Sequence, residues 1–129
     1  MSLAIDASVL VRLLVGQPKD QAKAAMAFVK TNAPVLCNDV AIAETWFALR
    51  NHYGFEPAQA LEALRRAFDS GVLVCEPDSG LTLACAQISG SAGFVDRLLV
   101  GKNVSLGLVT HTFDHAQAKL RGAQKLIVR

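Results

Sequence analysis

The feature that most constrains this chain is an alternation. Short apolar runs at residues 2–5, 35–37, 72–75, 108–110 and 125–128 are separated by stretches in which apolar residues recur at helical spacing. A run of three or four apolar residues is too short for a stable helix and suits a strand buried on both faces. Strands alternating with helices form a parallel sheet covered on its two sides. The expected fold class is therefore α/β: one three-layer α/β/α domain over residues 1–129, with a short central parallel sheet of four to five strands. In such sheets, ligands bind beyond the carboxyl ends of the strands.

The intervening stretches predict helices over residues 8–14, 19–31, 40–53, 57 to about 69, from 78 or 79 onward, and 94–103, with a last helical stretch between Asp114 and Leu120. Asn38 or Asp39 can cap the third of these, and Pro57 opens the fourth. Helix 40–53 carries two apolar stripes. Ile42, Trp46, Leu49 and Tyr53 form one, while Val40, Glu44, Phe47, Ala48 and Asn51 form the other. A helix apolar on both sides is expected inside the molecule, which would place Glu44 near the core. Leu81, Ala84, Cys85 and Ile88 read as the inner face of the next helix but one, and residues 89–93 as a flexible joint.

Bulk composition narrows the class further. The chain has 129 residues, 52% hydrophobic and 19% charged, enough apolar material for a core and for exposed surface that meets a partner. A net charge of +2 is too small to predict nucleic-acid binding and does not exclude it. Cys37, Cys75 and Cys85 lie in apolar surroundings, do not form a metal knuckle, and read as free thiols of a reducing compartment. Asp6 and Arg12 interrupt the apolar start, which argues against a signal peptide or membrane span. The expectation is a soluble cytoplasmic protein. His52, His111 and His115 lack ligand spacing. Trp46 and the six phenylalanines read as core. Lys102, Lys119, Arg121, Lys125 and Arg129 form a basic C-terminal third, a solvated face or part of a nucleic-acid track.

Four acids sit in or beside apolar segments: Asp6, Glu44, Asp96 and Asp114. Two like charges about 4 Å apart repel by roughly 4 kcal/mol at an effective dielectric of about 20. A pocket collecting several carboxylates would protonate or destabilise the fold unless a cation neutralised it. Hard oxygen donors suit Mg²⁺ or Mn²⁺, and such an ion can serve phosphodiester hydrolysis. Each acid also has a structural alternative as a helix cap, a dipole partner or a salt-bridged side chain.

At this point the chain resembles a known family. Residues 5–10 (Ile-Asp-Ala-Ser-Val-Leu), followed by Arg12, look like the opening of PIN domains in the VapC group of toxin ribonucleases. Residues 38–49, with Glu44, are similar to the family's second acidic segment. Residues 94–99, with Asp96, resemble the third, and residues 109–114, with Asp114, the fourth. Order and spacing agree over nearly the whole chain. The resemblance implies a doubly wound PIN domain, Mg²⁺ or Mn²⁺, endonucleolytic RNA cleavage, a homodimer and a small antitoxin partner. It also implies that Asp6, Glu44, Asp96 and Asp114 are metal ligands, with Ser8 and Thr112 as supporting hydroxyls. The chain departs from the family at Arg97, where a small Ala is usual, and at Gly101. Arg97 could lean toward the acids or reach toward phosphate. An alternative is a catalytically degenerate PIN-like module that binds RNA or an antitoxin. An aspartyl-nucleophile phosphohydrolase fits poorly, because Ser8 stands where its second acid would be.

Overall fold

The computed structural model describes residues 2–85 and 92–128. Its fold class is α/β with parallel strand pairing, as expected of a PIN-like domain. The chain divides into two compact units, Met1–Glu76 and Pro77–Arg129.

The first unit runs β1 (Leu3–Ala4), α1 (Ala7–Val15), α2 (Lys19–Asn32), β2 (Val35–Leu36), α3 (Asp39–Asn51), α4 (Pro57–Ala67) and β3 (Leu73–Val74). The three strands pair in parallel in the order β1-β2-β3, with Leu3 opposite Val35 and Val35 opposite Leu73. Three helices of this unit start where the local chemistry favours it. Asp6 caps α1 by accepting from the Val9 amide, and Asn38 caps α3 by accepting from the Ala41 amide. At α4, Pro57 takes the first helical position and the Glu56 amide donates to Gln59 Oε1 at 2.9 Å. The core of this unit gathers Leu10, Val35, Cys37, Ile42, Leu49 and Leu64, all fully buried. Helix α1 packs against α2, α3 and α4, so the segment after β1 is held from several sides. Glu62 and Arg66, one helical turn apart, pair at 3.0 Å on the exposed face of α4.

The second unit runs α5 (Pro77–Cys85), α6 (Phe94–Ser105), β4 (Thr110–Thr112), a 3₁₀ turn (Gln117–Lys119) and β5 (Ala123–Lys125). Strands β4 and β5 pair in parallel, with Thr110 opposite Ala123. Helices α5 and α6 pack together, and Lys102 Nζ meets Asp78 Oδ1 at 2.9 Å. Gly101 explains itself here. A Cβ at that position would lie 2.8 Å from Thr82 Oγ1, so the missing side chain lets α6 approach α5. At Gly122 the backbone takes φ +91, and a Cβ would collide with Val104.

Several expectations are corrected. The predicted strands shrink to two or three residues, because each chain leaves its ladder for a cap or turn. The fourth and fifth move to Thr110–Thr112 and Ala123–Lys125, since pairing is set where the Thr110 amide meets the Gly122 carbonyl. Among the described residues the five strands form a three-stranded and a two-stranded sheet. Helix α3 is one-sided. Ile42, Trp46 and Leu49 are buried, whereas Val40, Glu44, Phe47 and Tyr53 are exposed, so Glu44 is not near the core. On α5 the inward residues are Ser79 and Leu83, while Leu81, Ala84 and Cys85 are exposed. Phe28, Phe47 and Phe113 are likewise exposed instead of core. Ile88, residues 89–91 of the expected joint, and Arg129 lie outside the described residues. Among the described residues no helix is long and apolar enough to cross a membrane.

Candidate functional site

Asp6 follows β1 at the carboxyl end of the three-stranded sheet, where ligand sites of parallel sheets form. One carboxylate oxygen, Oδ1, receives two bonds. The Ser8 hydroxyl donates at 2.5 Å and the Val9 amide at 3.3 Å. The Ser8 bond, then the Val9 bond, hold the carboxyl below its ordinary pKa, so Asp6 is ionised at neutral pH. Asp6 and Ser8 line a cavity of about 860 Å³ together with Arg12 and, from α2, Gln21, Ala24 and Phe28.

Glu44 is exposed in the second turn of α3, and no hydrogen bond or ion pair engages its carboxylate among the described residues. It lines a smaller depression of about 240 Å³ with Ser8, Arg12, Ala48, His52 and Tyr53. Ser8 and Arg12 border both hollows, the one that holds Asp6 and the one that holds Glu44.

In the second unit Asp96 sits in the first turn of α6, half-buried, with its carboxylate likewise unengaged among the described residues. The N-cap of that helix is Gly93, and a Cβ there would come within 4.0 Å of Asp96 Oδ2. A glycine cap leaves the carboxylate open on that side. Arg97 Nε donates to the Ala92 carbonyl at 3.3 Å, and no ion pair with an acid forms among the described residues. Asp114 is exposed and fastened. Its Oδ1 accepts from the Gln117 amide at 2.7 Å, and its own amide donates to Thr112 Oγ1 at 3.0 Å. The Thr112 hydroxyl in turn donates to Gln117 Oε1 at 2.9 Å, and Gln117 is buried.

The structure thus brings Ser8 to Asp6, places Glu44 beside Ser8, and brings Thr112 to Asp114. Among the described residues no group of three or more His, Cys, Asp or Glu stands together to hold a metal ion. The donor set is all carboxylate oxygen, which suits Mg²⁺, and that ion is often held by one or two carboxylates with water and substrate phosphate completing its shell. Two side chains outside the expected site set line these hollows, Arg12 and His52. Arg12 lies four residues after Ser8, and His52 eight residues after Glu44, each on the same helix face as its acid or hydroxyl. That spacing is the signal that would have found them.

The PIN domain profile matches residues 3–123, so it spans both units and nearly the whole chain. The chain belongs to the PIN-domain family. The family is one of nucleases, typically acting on RNA with divalent metal ions. No curated protein and no solved structure gives a significant match to the sequence.

Proposed function

We propose that the protein is a Mg²⁺- or Mn²⁺-dependent endoribonuclease, the toxin of a toxin–antitoxin pair, working as one PIN domain over residues 1–129. The observation that carries the reading is the pairing of carboxylate with hydroxyl at the ends of β1 and β4. Ser8 fixes Asp6 and lowers its pKa, while Thr112 and Gln117 orient Asp114. Glu44 and Asp96 complete the set as carboxylates with no competing partner among the described residues. A bound divalent ion would supply Lewis acidity and an activated water for attack on an RNA phosphodiester.

The chain's own residues hold the geometry. The Ser8 hydroxyl and Val9 amide occupy Oδ1 of Asp6 and leave Oδ2 for a ligand. The Thr112 hydroxyl stiffens the turn carrying Asp114. Exposed Val40 and Phe47 on α3, and Leu106, Leu108 and Val109 before β4, support an antitoxin partner and a homodimer, since such apolar surface marks interaction sites.

Incubation with total RNA and Mn²⁺, followed by mapping of new ends, tests the reading. Wild type produces discrete cleavages; Asp6→Asn and, separately, Asp96→Asn lose them while melting as wild type does. Full cleavage by both variants rejects the site. Exposed apolar side chains on α3 and before β4 favour a second reading, a PIN-like module that binds without cutting. A thermal shift with Mn²⁺ separates the two, because only a metal-binding native state is stabilised.

A further inference from the structure

We propose that the cavity between α1 and α2 is a nucleotide subsite, with Arg12 holding an RNA phosphate and Phe28 stacking the attached base. This inference rests on the nuclease reading and adds to it where the strand lies and what grips it.

The cavity, about 860 Å³, has the size of ordinary small-ligand clefts and exceeds what one side chain would fill. Its two walls differ. The α1 wall carries Asp6, Ser8 and Arg12, and the α2 wall carries Gln21, Ala24 and Phe28. Residues 8 and 12 share one helix face, as do residues 21, 24 and 28. The walls are tied at one point, where Arg12 Nε donates to Gln21 Oε1 at 2.9 Å.

That bond uses one of the five guanidinium donors. Among the described residues Arg12 makes no other hydrogen bond or ion pair, so its terminal nitrogens are free for an anion. The head group is already oriented by Gln21, which lowers the entropy lost when it grips a ligand. Among the described residues Arg12 is the only cationic side chain bordering the hollow, and it also borders the Glu44 depression. An anionic strand running from the Asp6 hollow to the Glu44 depression would meet a positive group at Arg12, which lines both.

Phe28 is 39% exposed at the rim. A ring left that open loses water contact when a flat partner covers it, and small Ala24 beside it leaves room for a base. A cation for the backbone and an aromatic face for the base are the two parts of a single-strand site.

Binding of a short fluorescent single-stranded RNA in EDTA, titrated from about 50 to 200 mM KCl, tests the subsite without cleavage. Arg12→Ala should make the log–log salt slope shallower by about 0.7, the value for one lost phosphate on a single strand. Arg12→Lys should restore the slope. Phe28→Ala should weaken binding roughly tenfold and leave the slope unchanged. A purely structural role for Arg12 or Phe28 would not divide slope from affinity in this way. Wild-type slope and affinity in both alanine variants overturn the subsite, as does wild type that binds no RNA. Parallel cleavage assays with Mn²⁺ keep the two readings apart. Cleavage with unaltered binding in the variants removes the subsite and leaves the nuclease. Altered binding without wild-type cleavage leaves the subsite and removes the nuclease.

Discussion

The two units solve the same problem by different means. Residues 1–76 bury an apolar core, with Leu10, Ile42, Leu49 and Leu64 inaccessible to solvent. The described residues of 77–129 bury fewer apolar side chains, and side-chain pairs tie them together: Lys102 with Asp78, Asn103 with Thr110, Thr112 with Gln117. Their buried set includes Ser79, Thr110 and Gln117, while Leu106, Leu108, Val109 and Phe113 are exposed. The difference teaches where each acid gets its rigidity. Asp6 is held at the start of a helix packed on three others, and Asp114 is held by a polar turn. Apolar packing is tolerant of small errors in position; a hydrogen-bonded turn is directional and is lost when one partner goes.

The sharpest test sets Leu49→Ala against Leu108→Ala. Leu49 is fully buried, so its truncation should cost about 3 kcal/mol in urea denaturation, whereas exposed Leu108 should cost less than about 0.5. Equal losses would erase the contrast. Next in size is Gly122→Ala. The positive φ and the clash with Val104 together should cost about 2 kcal/mol, a penalty of backbone fit in a unit with a small apolar core.

Alkaline pH separates the units again. Burial, helped by Cys75 and Asp6, pushes the Cys37 thiol up from an ordinary 9.0 to about 12. Below pH 9 both folded and unfolded chains keep the proton, and the contribution is whole. Above it only the unfolded chain releases the proton, so stability should fall by about 1.4 kcal/mol per pH unit until the folded thiol ionises near pH 12. Cys37→Ala should remove that slope. The smallest effect is at the caps. Asp6→Ala should cost about 1 kcal/mol and Asp6→Asn close to nothing, because Asn caps equally well. The carboxyl is depressed, so its contribution is present above the ordinary carboxylate pKa and is lost as pH falls through the folded value. Thermal melts of the two variants from neutral to acid pH check both points.

Much of the chain was legible without coordinates. The α-helices of the described residues were legible, with the cap Asn38 and the first-turn Pro57 marking two starts, because the chemistry of helix ends is local. The Glu62–Arg66 pair follows from spacing alone. Helix α3 was misread because periodicity finds apolar stripes and cannot say which one meets a neighbour. Val40 and Phe47 are as apolar as Ile42, yet they face outward and carry Glu44 with them. The last two strands slipped by two residues because register depends on a partner strand, here fixed at Gly122 and Thr110.

By itself, then, the sequence determined the α/β alternation, the helix starts, the four acids and membership of the PIN family, since these depend on residue type and short-range spacing. Tertiary structure alone decided that Arg12 is braced by Gln21 across a cavity, that Gly101 is a contact point with Thr82, and that Glu44 is solvent-exposed. The reason is physical: a side chain's surroundings are set by elements distant along the chain, and no local pattern encodes which of them will pack against it.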